Sequence, residues 1–125
     1  MVMLITLLFR RPTHIHTIKP PLWEISEVIK GNDKLIFDII ANTIMLLPLG
    51  IFIPLWLKRS DIHKKVVLIA FLVSLSIEII QLITTRGYFE IDDLFHNTLG
   101  GFIGSFIGCP LAGWLCSEDK RKKEK

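Results

Sequence analysis

Hydrophobic and polar positions along this chain are segregated into blocks. Residues 35–57, 66–83 and 94–116 are almost continuously apolar, and most charged side chains fall between or beyond them. Within these blocks the only carboxyl and imidazole groups are Asp38, Glu78 and His96. As a helix, even the shortest block is about 27 Å long, close to the roughly 30 Å hydrocarbon core of a bilayer. The pattern predicts an all-α fold: a small polytopic transmembrane bundle of three full spans. Residues 1–9 are also apolar but reach only about half a span. They read as a short N-terminal hydrophobic helix, the partial end of a preceding span. Arg10 and Arg11 follow this run, whereas a signal peptide carries its positive charges before it. Residues 1–116 are therefore expected to form one transmembrane domain, with 117–125 as a basic tail.

The segments between the blocks carry their own signals. Residues 12–34 are polar and contain Pro20-Pro21 and Gly31-Asn32-Asp33, which mark a loop. A short helix is expected over 23–30, its Leu22, Ile25 and Ile29 stripe suited to a membrane surface. In the first span Pro48 removes the bond to the Ile44 carbonyl, and Gly50 and Pro54 follow, so a break or kink is expected. The second span is regular. The third is glycine-rich: Gly100, Gly104, Gly108 and Ala112 recur every fourth residue. Such a groove lets another helix approach closely. Pro48, Gly50, Gly100, Gly104 and Gly108 are thus candidate packing positions. The glycine face is expected to meet the second span, with a homo-oligomer through this face as the other option.

Composition and charge then fix the orientation. The chain has 125 residues, is 50% hydrophobic and 22% charged, and carries a net charge of +3. Lys58, Arg59, Lys64 and Lys65 crowd one loop, and Lys120, Arg121, Lys122, Lys123 and Lys125 crowd the C-terminus. Loop 84–93 sets Glu90, Asp92 and Asp93 against Arg86 alone. Basic loops remain cytoplasmic, so the basic loop and tail are expected inside and loop 84–93 outside. Arg10 and Arg11 then fall outside, against the same rule. Trp56 and Trp114 fall at the expected inner interface. This distribution points to a lipid bilayer as partner, not nucleic acid. Cys109 and Cys116, about 10 Å apart on a helix, read as packing thiols. The pair His14 and His16 is too little for a metal site, and no cofactor motif is found, so neither metal nor cofactor is expected.

The candidate chemistry lies where polar groups enter the spans. Such groups are costly in a membrane and tend to face the bundle interior. Asp38 and Asn42 share a face of the first span. Ser74, Glu78, Gln81 and Thr85 form a stripe on the second. On the third, Asp93 and Asn97 align with Gly100 and Gly104, with Asp92 and His96 on an adjacent shoulder. All lie in the expected outer half of the bilayer. They predict one outward-facing polar pocket containing Asp38, Asn42, Glu78, Gln81, Asp93, His96 and Asn97, with Arg86 at its mouth. Plainer roles compete: Asp92 as an N-cap, Asp93 facing the positive helix end, a Glu78–Arg86 ion pair, and Asn42 and Asn97 as interhelical hydrogen-bond groups.

Three segments together resemble VanZ-like bacterial membrane proteins. Asn42-Thr-Ile-Met-Leu-Leu-Pro48-Leu-Gly50 resembles their N-x5-P-L-G element. Ser76-Ile-Glu78-Ile-Ile-Gln81 is similar to their S-x-E-x-x-Q element. Arg86 to Gly100, through Glu90, Asp92, Asp93 and Asn97, resembles their R-x3-[DE]-x-[DN]-D-x3-N-T-x-G element. The resemblance covers roughly residues 35–108, with 1–11 similar to the end of the family's first span. It implies a multi-pass protein of the bacterial cell membrane, and the family's founding member is associated with low-level teicoplanin resistance. It carries no catalytic set. The leading expectation is an accessory envelope protein whose pocket binds a lipid-linked wall precursor or a lipoglycopeptide. One alternative is an intramembrane enzyme using Glu78 as base with Asp93 or His96. The other is a small transporter subunit.

Overall fold

The structure, a computed structural model, describes residues 18–31, 34–84 and 89–123. Among them the fold is all-α. Four helices are present: α1 (Trp23–Ile29), α2 (Lys34–Leu57), α3 (His63–Ile83) and α4 (Ile91–Lys123). Two short strands, β1 (Ile18–Lys19) and β2 (Phe89–Glu90), pair in parallel, Ile18 opposite Phe89 and Lys19 opposite Glu90. The sequence carried no signal for this pairing. It ties the segment before α1 to the segment before α4. Helices α2, α3 and α4 are long and apolar enough to cross a membrane, and the chain is a multi-pass membrane protein. Residues 1–9, with His14 and His16, lie outside the described residues.

Helix α4 is the centre of the bundle, and α2 and α3 flank it while touching each other little. Small residues set this arrangement. A Cβ on Gly100 would collide with the Thr43 carbonyl of α2, and one on Gly104 with the Leu47 carbonyl. A Cβ on Gly108 would lie 2.6 Å from the Ile51 carbonyl oxygen. A Cβ on Gly50 would strike Gly101 in return. The glycine groove of α4 is therefore filled by α2. This corrects the expectation that it meets the second span. The neighbouring face of α4, at Gly101, abuts Ala70 of α3. Because the groove is occupied within the chain, association of copies would need another surface. Without a hydrophobic force between helices in lipid, close backbone approach of this kind supplies much of the association energy.

Of the break or kink expected at Pro48 and Pro54, the break is absent: α2 continues as one helix through both. Pro48 is exposed, away from the α2–α4 contact, and so is not a packing residue there. Pro54 is buried. Helix α2 closes on Lys58 with φ 52°, as Lys58 N–H donates to Leu55 and Arg59 N–H to Pro54. These two bonds form a Schellman end with lysine in the left-handed position that glycine usually holds. At the same end α4 extends to Lys123, so residues 117–123, expected as a tail, continue the helix. Phe37, Phe52, Trp56, Ile83 and Phe95 are exposed on the outer surface, as lipid-facing side chains should be.

Candidate functional site

The start of α2, the end of α3 and the start of α4 meet at one end of the bundle, and α1 lies across it. Polar side chains collect there. On α3, Ser74 and Glu78 have no exposed surface and Gln81 is 8% exposed. The expected stripe thus faces inward along α4. Asn97 of α4 is fully buried, and its amide donates to Ser74 Oγ at 3.0 Å. Hydrogen bonds between membrane helices average roughly 0.6 kcal/mol, so this one orients α3 on α4 more than it stabilises the pair. Asn97 thus joins α3 to α4 through Ser74 and not through Glu78. Glu78 Oε2 accepts the backbone N–H of Glu90 at 3.0 Å. Among the described residues, Glu78 Oε1 and Asn97 Oδ1 have no hydrogen-bond donor.

On α2, the Asn42 amide donates to Asp93 Oδ1. Asp38, four residues earlier, is exposed. Asp92 does not cap its own helix, where it occupies the first turn. Its carboxylate instead accepts Leu22 N–H at 2.6 Å and Glu24 N–H at 3.2 Å. It therefore caps α1 from a distance in sequence of about seventy residues, satisfying the free amides of a helix start. Leu22, at φ 64°, holds the left-handed turn that aims those amides at Asp92. Arg86 and Thr85 lie outside the described residues.

This docking of α1 brings in a residue that sequence reasoning missed. Leu22, Ile25 and Ile29 point outward, and Glu24 points into the bundle with 2% of its surface exposed. Glu24 Oε2 lies 3.3 Å from His96 Nδ1. One ligand atom each from Glu24, Asp93 and His96 all fall within 4.8 Å of one another. Burial, then the neighbouring carboxylates of Asp93, Glu90, Asp92 and Asp38, push Glu24 up to about 8. Lys19 bridges Glu90 at 2.7 Å, with its ammonium 3.6 Å from the centre of the Trp23 ring. The available clue was the position of Glu24 opposite the apolar stripe of α1. It could not say which part of the bundle that face would meet.

The family model described as VanZ/LLP1 matches residues 1–112. The chain belongs to the VanZ/LLP1 family. Among curated proteins, Protein VanZ of Enterococcus faecium is 36% identical over 67 residues, which is 54% of this chain and 41% of that protein. The matched part thus spans less than half the length of that relative. No solved structure matches. Within this VanZ/LLP1 chain, the residues that carried the resemblance divide by place. Glu78, Gln81, Asp92, Asp93, Asn97 and Asn42 gather at the polar end, while Gly50 and Gly100 form the α2–α4 contact.

Proposed function

We propose that this protein is an accessory protein of the bacterial cell envelope, linked to tolerance of teicoplanin-type glycopeptides. In this reading it sits in the cell membrane with the basic ends of α2, α3 and α4 in the cytoplasm. The polar end of the bundle faces outward and receives the polar head of an amphiphile, a lipid-linked wall precursor or a lipoglycopeptide. One observation carries the reading. Among the described residues, buried acceptors on α3 and α4, Glu78 Oε1 and Asn97 Oδ1, are left without donors at one end of a bundle whose sides suit lipid. Unpaired buried acceptors are costly, so a ligand that donates to them is favoured. Kinship with Protein VanZ of Enterococcus faecium supports the link to resistance that the family resemblance implies. The contact between Glu24 and His96 favours a second reading, an intramembrane enzyme acting on an envelope lipid, because paired carboxyl and imidazole groups suit proton transfer.

Expression in a susceptible host tests the first reading. Teicoplanin tolerance should rise more than vancomycin tolerance, and Glu78→Gln at matched membrane levels should abolish the rise. Equal tolerance with the glutamine variant would remove Glu78 from the function. Conversion of an envelope lipid by the purified protein, followed by mass spectrometry, would favour the second.

A further inference from the structure

We infer that Glu24, Asp93 and His96 bind one divalent transition-metal ion of the zinc class at the polar end of the bundle. Three donors of the right kinds converge from two helices that are distant in sequence. Their ligand atoms already lie within 4.8 Å of one another. Zinc bonds to nitrogen and carboxylate oxygen at about 2.1 Å, so two ligands of a tetrahedral ion stand about 3.4 Å apart. Glu24 Oε2 and His96 Nδ1 are 3.3 Å apart.

A second observation points to a ligand at the same place. Glu24 is 2% exposed, and among the described residues neither its Oε2 nor His96 Nδ1 completes a hydrogen bond, although the two face each other at 3.3 Å. With an ion bound, each of these atoms would turn a lone pair toward it. The supporting groups fit as well. Asp92 fixes the first turn of α1, which carries Glu24, and the Asn42 amide holds one oxygen of Asp93. Outer hydrogen bonds of this kind orient metal ligands. The charge balance agrees. Glu24, Glu78, Glu90, Asp92 and Asp93 share this end, and Lys19 is engaged with Glu90. One imidazole with two carboxylates suits zinc better than magnesium or calcium, which take oxygen ligands. Three protein ligands leave a fourth position for water or for an oxygen of an incoming headgroup.

The sequence offered no metal set because Glu24 lies far from Asp93 and His96 along the chain. The test uses the full chain purified in detergent, without any susceptibility assay, so its outcome is separate from that of the envelope reading. Zn2+ titrated by calorimetry should bind at one equivalent and resist excess Mg2+ and Ca2+. Asn42→Ala, which removes an outer partner, should weaken binding by about 10–100-fold. Glu24→Gln and His96→Asn should weaken it further, with helicity and elution unchanged. X-ray absorption of the zinc-loaded wild type needs no variant and should show imidazole and carboxylate in the first shell. No stoichiometric binding, a shell without imidazole, or full affinity in well-folded Glu24→Gln and His96→Asn would each overturn the assignment.

Discussion

Gly100 shows how much one missing side chain decides in this bundle. A methyl group there would run into the Thr43 carbonyl, part of a backbone that cannot swing aside. Gly100→Ala must therefore push α2 away from α4, and overpacking of this kind costs about 1–3 kcal/mol. Gly113 lies on the same helix but meets only the Ser60 side chain, its added Cβ 3.2 Å from Ser60 Cβ. Alanine has the better helix propensity by about 0.8–1.0 kcal/mol, which offsets a small adjustment there. Unfolding of the two variants in detergent, followed by circular dichroism, should show Gly100→Ala clearly destabilised and Gly113→Ala close to wild type. Equal responses would mean that the α2–α4 approach is looser than the backbone contacts indicate. The glycine spacing was legible in the sequence because close approach leaves a small-residue period. The partner was not legible: a groove specifies a distance and carries no address.

Helix α1 belongs to the bundle through Asp92 more than through its own apolar face, since Ile25 and Ile29 remain exposed. Seven residues are too few to be helical alone in water, so the short helix depends on this cap and on its seat against α2 and α4. Asp92→Ala leaves its first amides without an acceptor, at a cost of about 0.5–2 kcal/mol. Hydrogen exchange should then accelerate across residues 22–29 while the central turns of α3 and α4 keep their protection. Unchanged exchange in α1 would show that other contacts seat it. The three long elements were readable because a bilayer demands continuous apolar runs, and the inward stripe of Ser74, Glu78 and Gln81 was readable from its helical period. The place of Glu24 was not, because the Asp92 carboxylate that seats α1 lies on another helix and leaves no trace in the period of α1. The prolines do not end the element: α2 continues through both Pro48 and Pro54.

At the scale of the whole molecule, the two ends of the bundle have opposite chemistry. Lys58, Arg59 and Lys120 line one common hollow with Ser60, Ser117 and Asp61 at one end, Asp61 being paired with Arg59. Trp56 and Trp114 are exposed near it. The other end gathers Glu24, Glu78, Glu90, Asp92 and Asp93. Basic loops are retained in the cytoplasm, so the bundle should insert with Ser60 inside and α1 outside. Cysteine labelling checks this in a background carrying Cys109→Ala and Cys116→Ser. An impermeant thiol reagent applied to intact cells should modify Ser26→Cys and leave Ser60→Cys untouched until the membrane is opened. Both positions are exposed, so access depends on the side of the membrane. The reverse labelling would place the acidic end in the cytoplasm. It would remove the outward pocket and with it the direct encounter with an extracellular glycopeptide. The zinc site would be unaffected, because its three ligands are set by packing within the chain and not by the side of the membrane they face.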